Sequence, residues 1–153
     1  MKTRQNGFTL IELMVVVVLI AIASAVTSLA LRDPAATRLE HEAARLVALL
    51  ESARTEARAS GLPASWEPRS GVEGVSGFRF IGLPPTSDLP THWLTEGVTA
   101  DVTANATDAR AVLLGPEPLI GAQRIVLRLN EQTLTLTTDG LGPFVVDNST
   151  LPK

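Results

Sequence analysis

The chain has 153 residues, a formal charge of −3 and no cysteine, and 45% of its residues are hydrophobic. This length is enough for one modest domain in addition to an apolar N-terminal segment. The absence of cysteine excludes disulfide bonds and thiol-ligated metal sites, and the slightly acidic balance excludes a generally basic surface for nucleic acid. Aromatic residues are few, whereas Thr, Val, Leu and Ala are abundant. We therefore expect a core of small aliphatic side chains with many strands.

The first 31 residues combine a short polar leader with a long apolar run. Lys2 and Arg4 lie in residues 1–7, and residues 8–31 are apolar apart from Glu12 and four hydroxyl side chains. As a helix this run would span about 36 Å, which exceeds a bilayer core of about 30 Å. A carboxylate at the centre of such a span costs about 2.5–3.5 kcal/mol on insertion scales, so Glu12 is expected to have a partner or a function. The two basic residues favour a cytoplasmic N-terminus.

Two simpler interpretations of this segment are a secretory signal peptide and a plain membrane anchor. Ala23-Ser24-Ala25 is a small-x-small site behind an apolar stretch, and cleavage there would release a chain that starts at Val26. Glu12 is unfavourable at the start of the apolar region of a signal peptide, and a plain anchor leaves its charge unpaired.

The stretch Gly7-Phe8-Thr9-Leu10-Ile11-Glu12-Leu13 resembles the class III signal of type IV pilins and type II secretion pseudopilins. In that family a prepilin peptidase cuts after the glycine and methylates the new N-terminal residue. The resemblance implies cleavage between Gly7 and Phe8, N-methylation of Phe8, and Glu12 as the fifth mature residue. It also implies an α+β, pilin-like fold without enzymatic activity, in which a long N-terminal α-helix precedes an antiparallel β-sheet or β-sandwich domain.

Cleavage would create a cationic amine on Phe8, close in sequence to the Glu12 carboxylate. Within a filament this amine can pair with Glu12 of a neighbouring subunit. Such pairing relieves two buried charges and fixes the axial register between subunits. Loss of Lys2 and Arg4 would leave 11 basic against 16 acidic side chains, a balance of −5.

Residues 32–61 predict an amphipathic helix that ends at Gly61-Leu62-Pro63. Asp33-Pro34 can supply a cap and a first turn, and Thr37 and Glu40 have capping-box spacing. We expect the apolar face to pack on the following domain; this face comprises Leu39, Ala43, Leu46, Val47, Leu50, Ala53 and Ala57. The charged residues that fall mostly off this face are Arg38, Glu42, Arg45, Glu51, Glu56 and Arg58.

Residues 62–153 predict a β-rich domain, because short strand-like runs alternate with turn residues. Asn130-Glu131 is expected to turn the chain between two antiparallel strands, and Gly82–Pro90 and Gly115–Gly121 are expected to be surface loops. The predicted strands are Ala64–Glu67, Gly77–Ile81, Val98–Thr103, Arg110–Leu114, Arg124–Leu129, Thr133–Thr138 and Phe144–Val146.

Several later segments resemble the H-type minor pseudopilins and the related FimT-like minor pilins. They are Leu49–Ala57 with Gly61-Leu62-Pro63, Gly115–Leu119 and Asp139–Phe144. This resemblance implies a minor pseudopilin near the tip of the type II secretion pseudopilus, which contributes to export of folded proteins across the outer membrane. The implied partners are the prepilin peptidase, other minor pseudopilins, the major pseudopilin and inner-membrane lipid. The implied location is the bacterial inner membrane, with a periplasmic β-domain.

Two alternatives to this assignment stay open. One is a FimT-like minor type IV pilin that binds DNA, for which Arg110, Arg124 and Arg128 would form a local basic patch. The other is a periplasmic protein released at the signal-peptidase site described above.

No motif for a catalytic, cofactor or metal site accompanies these features, and no cofactor is expected. His41 and His92 are expected to be structural or solvated. Trp66 and Trp93 are expected in or near the core, although an exposed Trp93 would mark a subunit contact. Asp139 and Asp147 suggest a calcium loop like that of the major pseudopilin, but Asp139-Gly140 more simply predicts a turn.

Overall fold

The computed structural model of the protein describes residues 9–30, 34–69, 76–104 and 107–147, with side chains omitted for 25–30 and 107–108. The chain divides into two compact units, residues 1–33 and residues 34–153. The elements are α1 (Leu10–Ala30), α2 (Pro34–Ser60), β1 (Ala64–Arg69), β2 (Gly77–Ile81), β3 (Thr99–Ala104), β4 (Thr107–Ala109), β5 (Val112–Gly115), β6 (Gln123–Leu129), β7 (Gln132–Thr138) and β8 (Val145–Asp147).

Helix α2 buries one apolar stripe, and a glycine in the left-handed conformation follows its last residue. Pro34 is its first residue, in keeping with the preference of proline for the first turn. Beyond Ser60, Gly61 adopts a φ of 68°, and its N–H donates to the Ala57 carbonyl at 2.9 Å. The expected capping box at Thr37 is wrong, because the helix is already established there. The buried apolar residues of α2 are Ala35, Leu39, Ala43, Leu46, Leu50, Ala53 and Ala57.

Two antiparallel sheets follow α2 in the second unit, so the α+β prediction is confirmed. The smaller sheet has the order β2-β1-β5 and the larger one β4-β3-β6-β7-β8. Strands β6 and β7 pair in register from Gln123 with Thr138 to Leu129 with Gln132. Asn130, at a φ of 54°, turns the chain between them as predicted.

Some strand positions differ from the prediction. Strand β4 was not expected, and it forms because Thr107–Ala109 pairs back onto the end of β3. The last strand begins at Val145 instead of Phe144, because the Phe144 N–H donates to Glu51 Oε1 of α2 at 3.2 Å. The contact with Glu51 that sets the start of the last strand lies 93 positions away, and local sequence carries no signal for such a contact.

The core lies where α2 packs across strands of both sheets, among them β7, β5, β6 and β1. At one end of it, Phe78 lies between two tryptophans, with ring centroids 5.8 Å from Trp66 and 4.7 Å from Trp93. Trp66 is fully buried and Trp93 is 7% exposed. Their expected place in the core is confirmed, and the alternative of an exposed Trp93 is wrong.

A single side chain joins the edge of the small sheet to the large one. The carboxamide of Gln123, at the start of β6, accepts from the Leu113 N–H at 2.7 Å and donates to the Leu113 carbonyl at 2.9 Å. Gln123 is buried, and it gives β5 the two hydrogen bonds that a neighbouring strand would supply. The two sheets are therefore linked through hydrogen bonds as well as through the core.

Two loops of the domain approach each other at a pair of glycines. Gly140 has a φ of 90°, and a Cβ built on it would lie 2.5 Å from the Gly121 carbonyl oxygen. This position therefore requires glycine both for its backbone conformation and for its space.

We expect Gly140→Ala to destabilise the protein by about 1–3 kcal/mol more than Gly61→Ala. Both glycines have positive φ, so both variants carry the left-handed penalty of about 1–2 kcal/mol. A Cβ on Gly61 meets nothing within 4 Å, which makes Gly61→Ala the matched control. Urea unfolding of the two variants measures the difference, and equal losses would contradict the assigned backbone contact.

Candidate functional site

The predicted processing residues, Gly7 and Phe8, lie outside the described residues. Glu12, the predicted register residue, lies in the first turn of α1 with an exposed side chain. A carboxylate in the first helical turn interacts favourably with the positive end of the helix dipole. The acid that is unfavourable in an apolar run thus occupies the place on the helix where a negative charge is best tolerated.

Thr9 caps the helix that carries Glu12. The Thr9 carbonyl accepts from the N–H groups of Glu12 and Leu13 at 3.1 and 3.2 Å, and its Oγ1 accepts a longer bond from the Glu12 N–H at 3.4 Å. A threonine at the N-cap with glutamate three residues later has the spacing of a capping box. The sequence shows this spacing both here and at Thr37 and Glu40. The cap fixes the residue at which α1 begins, and it therefore places Glu12 in the first turn of the helix.

The side chains of α1 that the structure describes, residues 10–24, are all exposed, although most of them are apolar. Leu10 and Ile11 are more than 70% exposed, and the large apolar residues from Leu13 to Ile22 are at least 41% exposed. A contiguous apolar surface of this kind marks a protein or membrane contact. Within the residues that the structure describes, no helix is both long enough and apolar enough to cross a membrane. The span proposed for residues 8–31 stays a prediction.

On one flank of α2, charged side chains hold the segment 87–95. Glu42 Oε1 accepts from the Thr95 N–H at 2.7 Å, and Arg45 Nη1 donates to the His92 carbonyl at 3.0 Å. Nearer the helix C-terminus, Glu56 accepts from the Ser87 hydroxyl at 2.5 Å. The segment therefore runs antiparallel to α2 beside it.

Glu42 departs from the expectation that the charged positions of α2 lie outside its packed face. Its side chain is only 2% exposed, and its Oε2 lies 3.5 Å from Arg45 Nη1. The segment 87–95 covers the Glu42 side chain, and the Thr95 N–H donates the hydrogen bond that water would otherwise make. A buried carboxylate requires this kind of compensation.

On the other flank, Arg54 holds the loop after β7. Its Nη1 donates to the Gly142 carbonyl at 2.7 Å, and its Nη2 donates to the Gly140 carbonyl at 2.8 Å. Arg54 is 2% exposed, and Glu51 Oε1 lies 3.9 Å from its Nη1. One turn further on, Arg58 donates a longer bond of 3.3 Å to the Pro118 carbonyl.

The loop that Arg54 holds is also closed by its own polar side chains. Asp139 Oδ1 accepts from the N–H groups of Leu141 and Gly142 at 2.9 and 2.8 Å, and Thr138 Oγ1 bonds to both Gly140 and Gly142. The N–H groups of Gly142 and Leu141 hold the pKa of the Asp139 carboxyl below its usual value of 3.8. Any stabilisation from this carboxylate is therefore complete above its ordinary pKa and is lost only as the pH falls through the lowered value.

The remaining candidate residues do not come together in a site. His41 and His92 are exposed. Among the described residues, no three His, Asp or Glu side chains are grouped to hold a metal ion. Of the arginines considered for DNA, Arg128 contacts Asp101, and Arg124 lies 4.0 Å from an oxygen of Asp147.

We expect Arg54→Met to lower the free energy of unfolding by about 3 kcal/mol, because two carbonyls in the loop lose a charged donor. Arg58→Met is the matched control, since it removes the same charge one turn away. Arg58 is exposed and its bond is longer, so we expect a loss of about 0.5 kcal/mol. Chemical denaturation of both variants tests this, and similar losses would argue against Arg54 as a structural anchor.

Comparison with known proteins identifies features of both units. Residues 2–28 match the model described as the prokaryotic N-terminal methylation motif. No curated protein matches the chain. The structure is similar to the crystal structure of the type IV minor pilin FimU of Pseudomonas aeruginosa PAO1, with a TM-score of 0.51 and 16% identity. This similarity covers 72% of the chain and 89% of FimU.

At 16% identity the likeness to FimU shows the fold, and the motif match independently covers the N-terminal segment that resembles the pilin signal. The motif match and the fold likeness both test the prediction of a pilin-like chain. That prediction was made from Gly7-Phe8 and Glu12 and from the order of helix and sheets. The chain therefore carries a type IV pilin-like methylation motif and has the fold of a minor pilin.

Proposed function

We propose that this chain is a minor pseudopilin of the type II secretion system, of the H type, and a non-catalytic structural subunit near the tip of the pseudopilus. It would contribute to export of folded proteins across the outer membrane. The observation that carries the proposal is the combination of a methylation motif over residues 2–28 with a minor-pilin fold. The choice of the H type rests on the resemblance of Gly115–Leu119 and Asp139–Phe144. The latter is the segment that Arg54 and Glu51 hold against α2.

Glu12 is the residue proposed to set the register in the filament. Among the described side chains of α1 it is the one acid on a mostly apolar exposed surface, and it lies four residues after Phe8, the proposed new N-terminus. Helices that pack through such a surface can slide past one another with little change in apolar contact. A paired charge removes that freedom, because an unpaired carboxylate in the interior is costly. The partner in this scheme is the amine of Phe8 in an adjacent subunit.

The proposed location follows from the same segment. Residues 8–31 would anchor the precursor in the bacterial inner membrane as a single span, with the leader cytoplasmic and the β-domain periplasmic. After cleavage the segment would join the filament core, alongside other minor pseudopilins and the major pseudopilin. The prepilin peptidase is the expected processing partner.

A type IV pilus is the alternative filament, favoured by the likeness to a type IV minor pilin. The DNA-binding form of this alternative is less well supported. Arg128 pairs with Asp101, and Asp147 lies 4.0 Å from Arg124, so these acids offset the positive charge that binding to a phosphate backbone requires. Deletion of the gene distinguishes type II secretion from the type IV pilus. Loss of secreted enzymes from the medium with surface pili retained supports a role in type II secretion. Loss of surface pili with secreted enzymes retained supports a role in the type IV pilus.

The released periplasmic protein is the second alternative. Helix α1 continues from Leu10 to Ala30 and so includes the bond after Ala25 that a signal peptidase would cut. Mass spectrometry of the mature chain decides between the two maturation routes. A methylated Phe8 supports the filament subunit, and a start at Val26 would refute it.

Replacing Gly7 tests the peptidase assignment. We expect Gly7→Leu to accumulate as uncleaved precursor, since the residue before the cut must be small. The matched control, Gly61→Leu, places the same substitution beyond the helix end and should leave cleavage intact. Immunoblotting of membrane fractions separates precursor from mature chain, and mature-sized Gly7→Leu would count against the assignment.

Replacing Glu12 tests the register role. We expect Glu12→Ala to be cleaved normally but to be recovered at about one tenth of the wild-type level in sheared filaments, because loss of the register contact costs about 1.4 kcal/mol or more. Glu40→Ala removes one exposed acid from α2 and serves as the control for net charge. Wild-type incorporation of Glu12→Ala would contradict the role even if Gly7 and Phe8 are processed as proposed.

A further inference from the structure

On the outer face of the five-stranded sheet, Arg124 of β6 lies between two threonines. The strand register places it opposite Thr103 of β3 and opposite Thr137 of β7. Residues paired in this way have Cβ atoms about 4.5–5.5 Å apart on one face of the sheet. The same three side chains line one open depression of about 610 Å³, whose wall includes Val126. A guanidinium with a hydroxyl on each side therefore faces solvent within a concave surface.

The Arg124 guanidinium retains hydrogen-bonding capacity in this depression. Its side chain is 52% exposed, and Asp147 Oδ2 lies 4.0 Å from Nη2, beyond hydrogen-bond distance. An arginine has five N–H donors in a planar fork. The acid reduces the local charge without occupying those donors.

A second row on the same face provides an internal comparison. Arg128 lies four residues along β6, between Thr99 and Thr133 in the register. There the guanidinium makes a direct hydrogen bond with Asp101. The same triplet of side chains thus occurs twice. The guanidinium is hydrogen-bonded to a carboxylate in the row of Arg128, whereas in the row of Arg124 the carboxylate oxygen of Asp147 lies 4.0 Å away.

We propose that the Thr103–Arg124–Thr137 row binds an oxyanion of the carboxylate or phosphate type. The guanidinium fork matches two oxygens of either group, and the flanking hydroxyls can donate to those that remain. The anion is either a free small ion or an acidic side chain of an adjacent protein. Binding at this row rests on the sheet face alone, and only the filament measurement that identifies the source of the anion rests on the proposed function.

Titration of the full-length chain tests the row directly. The chain is labelled with ¹⁵N in a non-ionic detergent and titrated with sodium phosphate or sodium acetate, at constant ionic strength set with sodium chloride. We expect saturable shifts of the Thr103 and Thr137 amides and of the Arg124 Nε–H. Shifts that do not saturate, or that sodium chloride alone reproduces, overturn the proposal.

Three variants are expected to change the affinity for the anion in different directions. Arg124→Gln should weaken binding about tenfold, the equivalent of one charge-assisted hydrogen bond. Asp147→Asn should strengthen binding, because it removes the competing carboxylate. Arg128→Gln should leave binding unchanged, since it lies about 14 Å away, beyond a Debye length of about 8 Å. Equal affinity in Arg124→Gln, or weaker binding in Asp147→Asn, refutes the site.

A single cysteine identifies the source of the anion. The chain has no native cysteine, so Val126→Cys places one thiol in the depression without removing a proposed ligand. Phosphate should slow alkylation of this thiol in the isolated chain. In filaments, continued protection by phosphate supports a free anion, and a thiol unreactive with or without phosphate supports a neighbour's acidic group. Alkylation unaffected by phosphate in both states contradicts the proposal.

Discussion

The second unit of this protein depends on α2 supplying hydrogen bonds to segments that lie outside the regular strands. Backbone N–H and carbonyl groups that leave water need a partner elsewhere. Glu42 provides one for Thr95, and Arg54 provides two for the loop at Gly140 and Gly142. Both side chains are almost completely buried. Irregular segments can therefore pack against the helix with these backbone groups hydrogen-bonded, although Glu42 Oε2 and Arg54 Nε themselves make no hydrogen bond among the described residues.

This dependence gives α2 two distinct functions along its length. Its apolar stripe forms the core with both sheets, whereas its charged residues lie on the flanks and bind backbone. The loop at Gly140 is constrained from two directions, by Arg54 on one side and by the backbone of Gly121 on the other. Gln123 likewise bonds to backbone at a sheet edge, where its side-chain amide makes the two hydrogen bonds that a neighbouring strand would make. Side-chain to backbone bonds thus connect parts that are far apart in sequence.

The sequence was sufficient to predict the elements with a strong local period. Strand β2 has the predicted bounds, and β6 and β7 each begin one residue earlier than expected. Alternating apolar residues and the Asn130 turn carry that information. The motif around Glu12 likewise predicted the methylation match and, with the order of elements, the pilin-like fold. These features are all encoded within short stretches of chain.

The features that escaped prediction depend on the partners that the fold supplies and not on the local period. Glu42 has the helical position of a solvated acid, and only the segment 87–95 makes it a buried one. Strand β4 exists through its pairing with β3. Gln123 lies between the predicted loop Gly115–Gly121 and the predicted strand Arg124–Leu129, and its bonds to Leu113 appear only in the folded chain. For the row at Arg124, the sequence indicated a basic residue, but the flanking threonines become neighbours only through the sheet register.

The cap at Thr9 has a consequence for maturation. The hydrogen bonds that the structure describes at the start of α1 are made by Thr9 and the residues after it, and all of them lie beyond the proposed cleavage site. Proposed cleavage before Phe8 would retain these bonds while it removes two basic side chains and places a terminal amine on Phe8. Maturation would then be a change of charge on a preformed helix. The subunit would enter assembly without refolding its N-terminal segment.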